Sequence, residues 1–315
     1  MRLDTTGGRS GQAPVDEAAH LHALRLRSAD ALERAFRFLE GREDAWARLR
    51  ARVLCGAEPP EALAARLVSA QQPDGHFPIG TLVRGGASGF PSLDLDRLSS
   101  DGAALVGTLE ALLIAADAGL LHGAWLERAA RALESRQSED GAFRVGPLGP
   151  VPDSEREAID VFSTGMIAGM LGRTPVSRPA TLERAGEYLA ARFTPDAVEH
   201  EGHPALMAYA LFFTNVGHEL ADEALQWCGR ALEKGFRSGR LDAAATLRIL
   251  IACDAQAMPG ATFDVVELLE RLLAEQARDG GFAELSLGGP ESRTTGTFDA
   301  MLAIVRLCAA LAARD

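Results

Sequence analysis

Three copies of Gln-x-x-Asp-Gly-x-Phe, starting at Gln71, Gln137 and Gln276, restrict this chain more than any other feature. Each copy ends an amphipathic helical run and leads, through a loop, into a helix rich in small residues. Each therefore marks the same joint between two helices in a repeated unit. Within the joint, Asp-Gly is a turn: the Asp side chain bonds nearby backbone amides and Gly accepts positive φ. The Gln amide carries both donors and an acceptor, enough to tie the turn to a neighbouring repeat. Phe77, Phe143 and Phe282 fold back onto the helices.

The rest of the chain continues this rhythm. Leu21, Leu24, Leu32, Phe36 and Leu39 recur at helical steps and predict an outer helix over 16–39, with a second run over 44–54. Pro59-Pro60 restarts the chain for a helix over 61–70, which delivers the first copy. A loop over 78–100 follows, and the stretch 102–118 is so uniformly apolar that it belongs inside, with Ser100 or Asp101 as its cap. Outer and inner runs then alternate: 124–136 with 159–171, 178–193 with 201–214, 218–234 with 241–253, and 263–276 with 294–312. Gly165 and Gly169 allow neighbours to approach the second inner helix closely. Six such pairs, the last closing on the first, predict an all-α fold, an (α/α)6 toroid in which inner helices ring a central cavity. Residues 1–15 are expected to form a flexible tail and residues 16–315 a single toroid domain.

Composition narrows the function classes. The 315 residues carry a formal charge of −12, which disfavours nucleic-acid binding, because that affinity rests on clustered Lys and Arg. The four cysteines are widely separated, with no Cys-x-x-Cys pair, and read as small buried apolar residues rather than as a zinc knuckle or a disulfide framework. The first residues contain no apolar run, so a cytoplasmic protein without a transmembrane segment is expected. Its oligomeric state is left open.

The repeated Gln-x-x-Asp-Gly-x-Phe, followed by a loop and a helix beginning like Asp160-Val161-Phe162-Ser163-Thr164, resembles the terpenoid cyclase and protein prenyltransferase toroid superfamily. It is most similar to the repeat domain of squalene-hopene cyclases and class II diterpene cyclases, with Phe where those repeats carry Trp. The resemblance implies a cavity for an isoprenoid-type hydrophobic small molecule, and acid-initiated cyclisation or isomerisation by a terpene cyclase-like isomerase or lyase. It implies no cofactor, with Mg assisting only if the substrate is a diphosphate. The acid motif Asp-x-Asp-Asp is not intact; Asp94-Leu95-Asp96-Arg97 is the nearest match, which makes Asp96 a candidate acid. The Asp-x-Cys zinc pair of the prenyltransferases is absent, so no metal is expected.

The loops after the Asp-Gly turns feed the N-termini of inner helices, and one mouth should gather the chemistry. Asp160 and Asp101 are the preferred catalytic acids, since desolvation raises a carboxyl pKa; helix capping is the competing role for both. Arg97, Arg144 and Arg293 are placed to hold a diphosphate, against an ordinary surface role. Phe162, Tyr209, Phe212 and Phe298 offer ring faces to a hydrophobic chain or a carbocation, and His203 is a further substrate contact. Aromatic residues make up only 6% of the chain, which suits chain binding better than a long cyclisation cascade. Two alternatives stay open: a non-catalytic toroid that binds a lipid or protein partner, and a carbohydrate-acting (α/α)6 enzyme.

Overall fold

The computed structural model describes residues 13–79, 98–146, 152–200, 203–254, 258–282 and 292–312, and these contain thirteen helices and no strand. The outer helices are α1 (Ala13–Glu40), α3 (Pro60–Ala70), α5 (Ala124–Glu134), α7 (Pro179–Ala190), α10 (Ala221–Arg237) and α12 (Val265–Ala274). Their inner partners are α2 (Ala45–Leu54), α4 (Ser100–Asp117), α6 (Asp153–Gly172), α9 (His203–Asn215), α11 (Ala243–Ala252) and α13 (Ser292–Ala312). A short extra helix, α8 (Pro195–His200), has no counterpart in the periodicity of the sequence. The inner helices pack in the order α4, α6, α9, α11, α13, α2, and α1 packs on both α12 and α13. The six pairs thus close into the expected α/α toroid.

Burial follows the inner and outer division. In α4 and α6, every residue from Ala104 to Ala116 and from Ile159 to Leu171 is buried, whereas α5 and α10 bury one stripe each. A fully buried helix has no solvent face on which to carry charge, which is why these segments are apolar but for a few polar residues, Glu110 and Asp160 among them. Added Cβ atoms at Gly165 and Gly169 would approach Ala208 and Leu211 to 2.7 Å, so the small residues do set the spacing of α6 and α9. Among the described residues one helix, α13, is long and apolar enough to cross a bilayer, and most of that stretch is buried against its neighbours. Cys228 and Cys253 are buried as expected; Cys55, in the turn after α2, is exposed.

The repeated motif makes the same set of bonds three times. Gln71 Nε2 donates to Gly75 O within its turn and, at 2.8 Å, to Trp125 O on the next outer helix. Gln137 does the same to Gly141 O and Thr181 O, and Gln276 to Gly280 O and Ala31 O. The backbone N–H of Phe77, Phe143 and Phe282 donates to Thr108, Thr164 and Thr297 Oγ1 on the following inner helix. Gly141 has φ 91°, and a Cβ there would lie 2.1 Å from Arg184 O, so the turn presses against the neighbouring helix where only Gly fits.

The third joint, which closes the ring between α12 and α1, differs in one respect. Arg128 and Arg184 each bond the Gln oxygen of their joint at 2.6 Å. Arg34 holds the corresponding place at the third but pairs with Asp30 on its own helix at 3.0 Å, and Gln276 Oε1 is left buried without a partner among the described residues.

Several local expectations shift. α6 starts at Asp153, well before Ile159, because its first two turns are polar and project beyond the core; Asp160 therefore lies inside the helix and caps nothing. Ser99, accepting from Gly102 N, caps α4 in place of Ser100 or Asp101. Asp242 caps α11, accepting from Ala245 N.

Candidate functional site

Five charged side chains from four inner helices meet inside the ring. Arg50 of α2 donates from Nη2 to Asp117 Oδ2 of α4 at 2.8 Å, and its guanidinium lies 3.7 Å above the Phe298 ring of α13. Beyond Asp117, Arg248 of α11 stands 3.6 Å from Asp117 Oδ1 and 3.4 Å from Asp299 Oδ1 of α13. Glu110 lies on the same face of α4 as Asp117, two turns earlier. It is buried, and its Oε2 has no hydrogen-bond partner among the described residues.

Charge balance decides which of these groups is protonated. Two arginines can neutralise at most two of the three carboxyls, and an excess charge in a dry interior is costly. Burial raises the pKa of Asp299, against the pull of Arg248 and Arg50. Among the described residues Glu110 has no direct ion pair, and burial pushes its pKa up to about 8, with Arg50 opposing. At pH 7 Glu110 is mainly a carboxylic acid, a proton held in an apolar wall.

The motif turns line the other end of the ring. A cavity of about 600 Å³ there is bordered by Asp74, Asp101, Arg136 and Arg144. Its charges are paired with one another. Arg136 contacts Asp101 at 3.1 Å and Asp74 at 3.5 Å. Arg144 grips Asp140 through two nitrogens at 2.8 and 2.5 Å and reaches Asp160 Oδ2 at 3.3 Å. Arg293 grips Asp279 in the same way at 2.9 and 2.7 Å. These bonds hold Asp140 and Asp279 down at about 2. Asp160 goes the other way, since burial raises it more than Arg144 lowers it.

The residues singled out from sequence are dispersed. Asp160 and Arg144 come together; Asp101 is exposed on the first turn of α4, with Arg136 as its partner. Arg144 and Arg293, the expected diphosphate ligands, are each occupied by the Asp of their own repeat. Phe162 and Phe212 are buried in the α6 and α9 layers, and Tyr209 stacks on Phe213 with Phe193 against its edge. Phe298 does reach the interior cluster, where Arg50 covers its face. Asp96 and Arg97 lie outside the described residues, as does the side chain of His203.

Arg50, Glu110, Asp117 and Arg248 were not singled out by sequence reasoning. A usable signal existed: Glu110 and Asp117 stand seven apart in a helix otherwise apolar beyond its first turn, and Arg248 is the one charge in α11. Among the described residues no group of three or more His, Cys, Asp or Glu side chains is placed to hold a metal ion.

No protein-family model matches this sequence, and no curated protein matches it. Solved structures do match its fold. Type II terpene cyclase MstE from Scytonema, in complex with its substrate geranylgeranyl dihydroxybenzoate, superposes with a TM-score of 0.55 at 14% identity, over 91% of this chain and 99% of that one. The likeness is one of fold, the α/α toroid. MstE in complex with its product, merosterolic acid A, gives 0.54 at 14% identity, over 91% and 97% of the two chains. In this α/α toroid the charged cluster lies among the inner helices, and Glu110 is its carboxyl with an unpartnered oxygen among the described residues.

Proposed function

We propose that this protein is a terpene-cyclase-like enzyme that protonates an isoprenoid-type substrate inside the toroid, with Glu110 as the acid. The observation that carries the reading is Glu110 itself: a buried carboxyl with an unpartnered oxygen, protonated at neutral pH, on an inner helix of this fold. The Glu110 O–H proton passes to an alkene carbon; the π electrons form the new C–H bond and leave a carbocation. Arg50 then faces a carboxylate, and its attraction stabilises the charge that develops on Glu110. Cyclisation or alkene shift follows, and loss of a proton to the carboxylate restores the acid. The sequence is redox-neutral and needs no cofactor.

A non-catalytic toroid that holds a hydrophobic ligand is the second reading, favoured by one contact. The interior face of Phe298 is already covered by Arg50 and is not open to a carbocation. Asp160 is the rival acid, because burial raises its pKa as well.

The two readings separate in deuterium oxide. Incubation with farnesyl and geranylgeranyl substrates, as acids, alcohols and diphosphates, is expected to give isomeric products that carry deuterium. Glu110→Gln should reduce turnover by about 100-fold or more, the scale of a lost acid, with the melting temperature at pH 7 retained. Asp160→Asn should leave the products unchanged. A thermal shift with no product supports the binding protein, and loss of activity in Asp160→Asn alone transfers the acid role to Asp160.

A further inference from the structure

A second cavity, of about 340 Å³ and half open, lies on the face of the ring opposite the motif turns, beside the C-terminal ends of α2 and α4. Val53, Leu54, Leu63, Ile114 and Phe298 supply apolar walls; Arg50 and Asp117 lie with them, and Arg306 also borders the cavity. Its lining is more apolar than that of the cavity at the motif turns.

Three observations connect this cavity with a ligand. It adjoins the acid: Ile114 is one turn along α4 from Glu110, and Arg50 is the cation that acts on the Glu110 carboxyl. One of its lining residues carries an unsatisfied polar atom: the Arg50 side chain is only 9% exposed, and its Nε has no hydrogen-bond partner among the described residues. It is also locally cationic in a chain of net charge −12, with two arginines against Asp117, a carboxylate that Arg248 shares. Arg306 touches Asp254 at 3.4 Å through solvent-exposed side chains, and such pairs exchange readily for a better partner.

Building on the cyclase reading, we infer that this cavity is the port and binding site for an isoprenoid with an anionic head group. The chain runs past Ile114 and Phe298 toward Glu110, and Arg306 holds the head at the rim. A carboxylate and a phosphate share the required chemistry, two or more oxygens that accept from a guanidinium. An uncharged isoprenoid fits the same walls but makes nothing of Arg306.

Calorimetric titration with farnesoic acid, farnesyl monophosphate and farnesol tests the port. Ala118→Trp, at the half-buried C-cap of α4, should weaken all three probes by about tenfold or more, because the ring fills the cavity that the chain needs. Ser135→Trp, which intrudes on the cavity at the motif turns, should change none. Arg306→Gln should weaken the two anions by about five- to tenfold and leave farnesol unchanged, and the larger of the two losses identifies the head group. The arginine variant keeps the test open should the tryptophan disturb folding. Weakening by Ser135→Trp but not Ala118→Trp, or an Arg306→Gln variant that binds all three like the wild type, overturns the port and leaves the cyclase reading intact. The expected binding pattern with no deuterated product in any assay keeps the port and removes the cyclase.

Discussion

Glu110 makes the chain's response to pH specific at the residue scale. Its pKa in the folded protein, about 8, lies above the usual carboxylate range that it recovers on unfolding. Between those two values the folded state binds more protons than the unfolded state, so stability falls as pH rises. The contribution is complete below about pH 4 and is lost as pH passes through 8, at up to about 1.4 kcal/mol per pH unit. Asp140 and Asp279 are shifted downward, so their effect is confined to acid below about pH 4 and does not overlap this window. Thermal melts from pH 5 to 9 should show a decline that Glu110→Gln flattens, with the variant the more stable protein at pH 9. A parallel decline in both proteins would mean that Glu110 is already ionised when folded.

At the scale of elements, the motif turns are wedges as well as ties. Gly141→Ala places a side chain at φ 91° and 2.1 Å from Arg184 O, whereas Gly239→Ala, at φ 72°, meets nothing within 4 Å. The second change should cost about 1–2 kcal/mol from the left-handed backbone alone. The first should cost about 2 kcal/mol more, because α7 must also move. Urea titration of both variants measures the difference, and equal losses would show that the turn does not bear on its neighbour.

Helix positions were legible because burial imposes a period, and eleven of the twelve ring helices began within three residues of the apolar patterns. The exception, α6, opens with Asp153, Glu155, Arg156 and Glu157, turns that project into solvent and carry no such period. The short α8 was missed for the same reason. The interior cluster was hidden differently. Arg50 meets Asp117 across 67 residues, and no local spacing records a pairing of that range. Glu110 and Asp117 were passed over because a mostly apolar helix invites reading its exceptions as noise. The acids chosen from sequence, Asp101 and Asp160, stand beside the most conspicuous motif, whose own Asp residues bind arginines and whose Gln residues join helices.

Across the whole molecule, closure depends on the joint with the fewest bonds. Gln276 holds α1 through Ala31 O without the arginine support that Gln71 and Gln137 receive. Gln276→Leu should destabilise the protein by about 1–3 kcal/mol, the scale of buried carbonyls losing their donor. Hydrogen exchange should then accelerate in α1 and α12 before α6 and α9, the pair buried most deeply. Uniform acceleration around the ring would show that the toroid opens as one unit.

That closing bond joins residues 245 positions apart, and it has a meaning in time as well as in space. α1 packs on α2, its neighbour in the chain, and on α12 and α13, far along it. While the chain is being synthesised, part of the apolar stripe of α1 must remain uncovered until α12 and α13 have emerged. Closure of the ring therefore waits on synthesis of α12 and α13: a product that stops short of α12 leaves that side of α1 uncovered, a ready handle for chaperones and proteases.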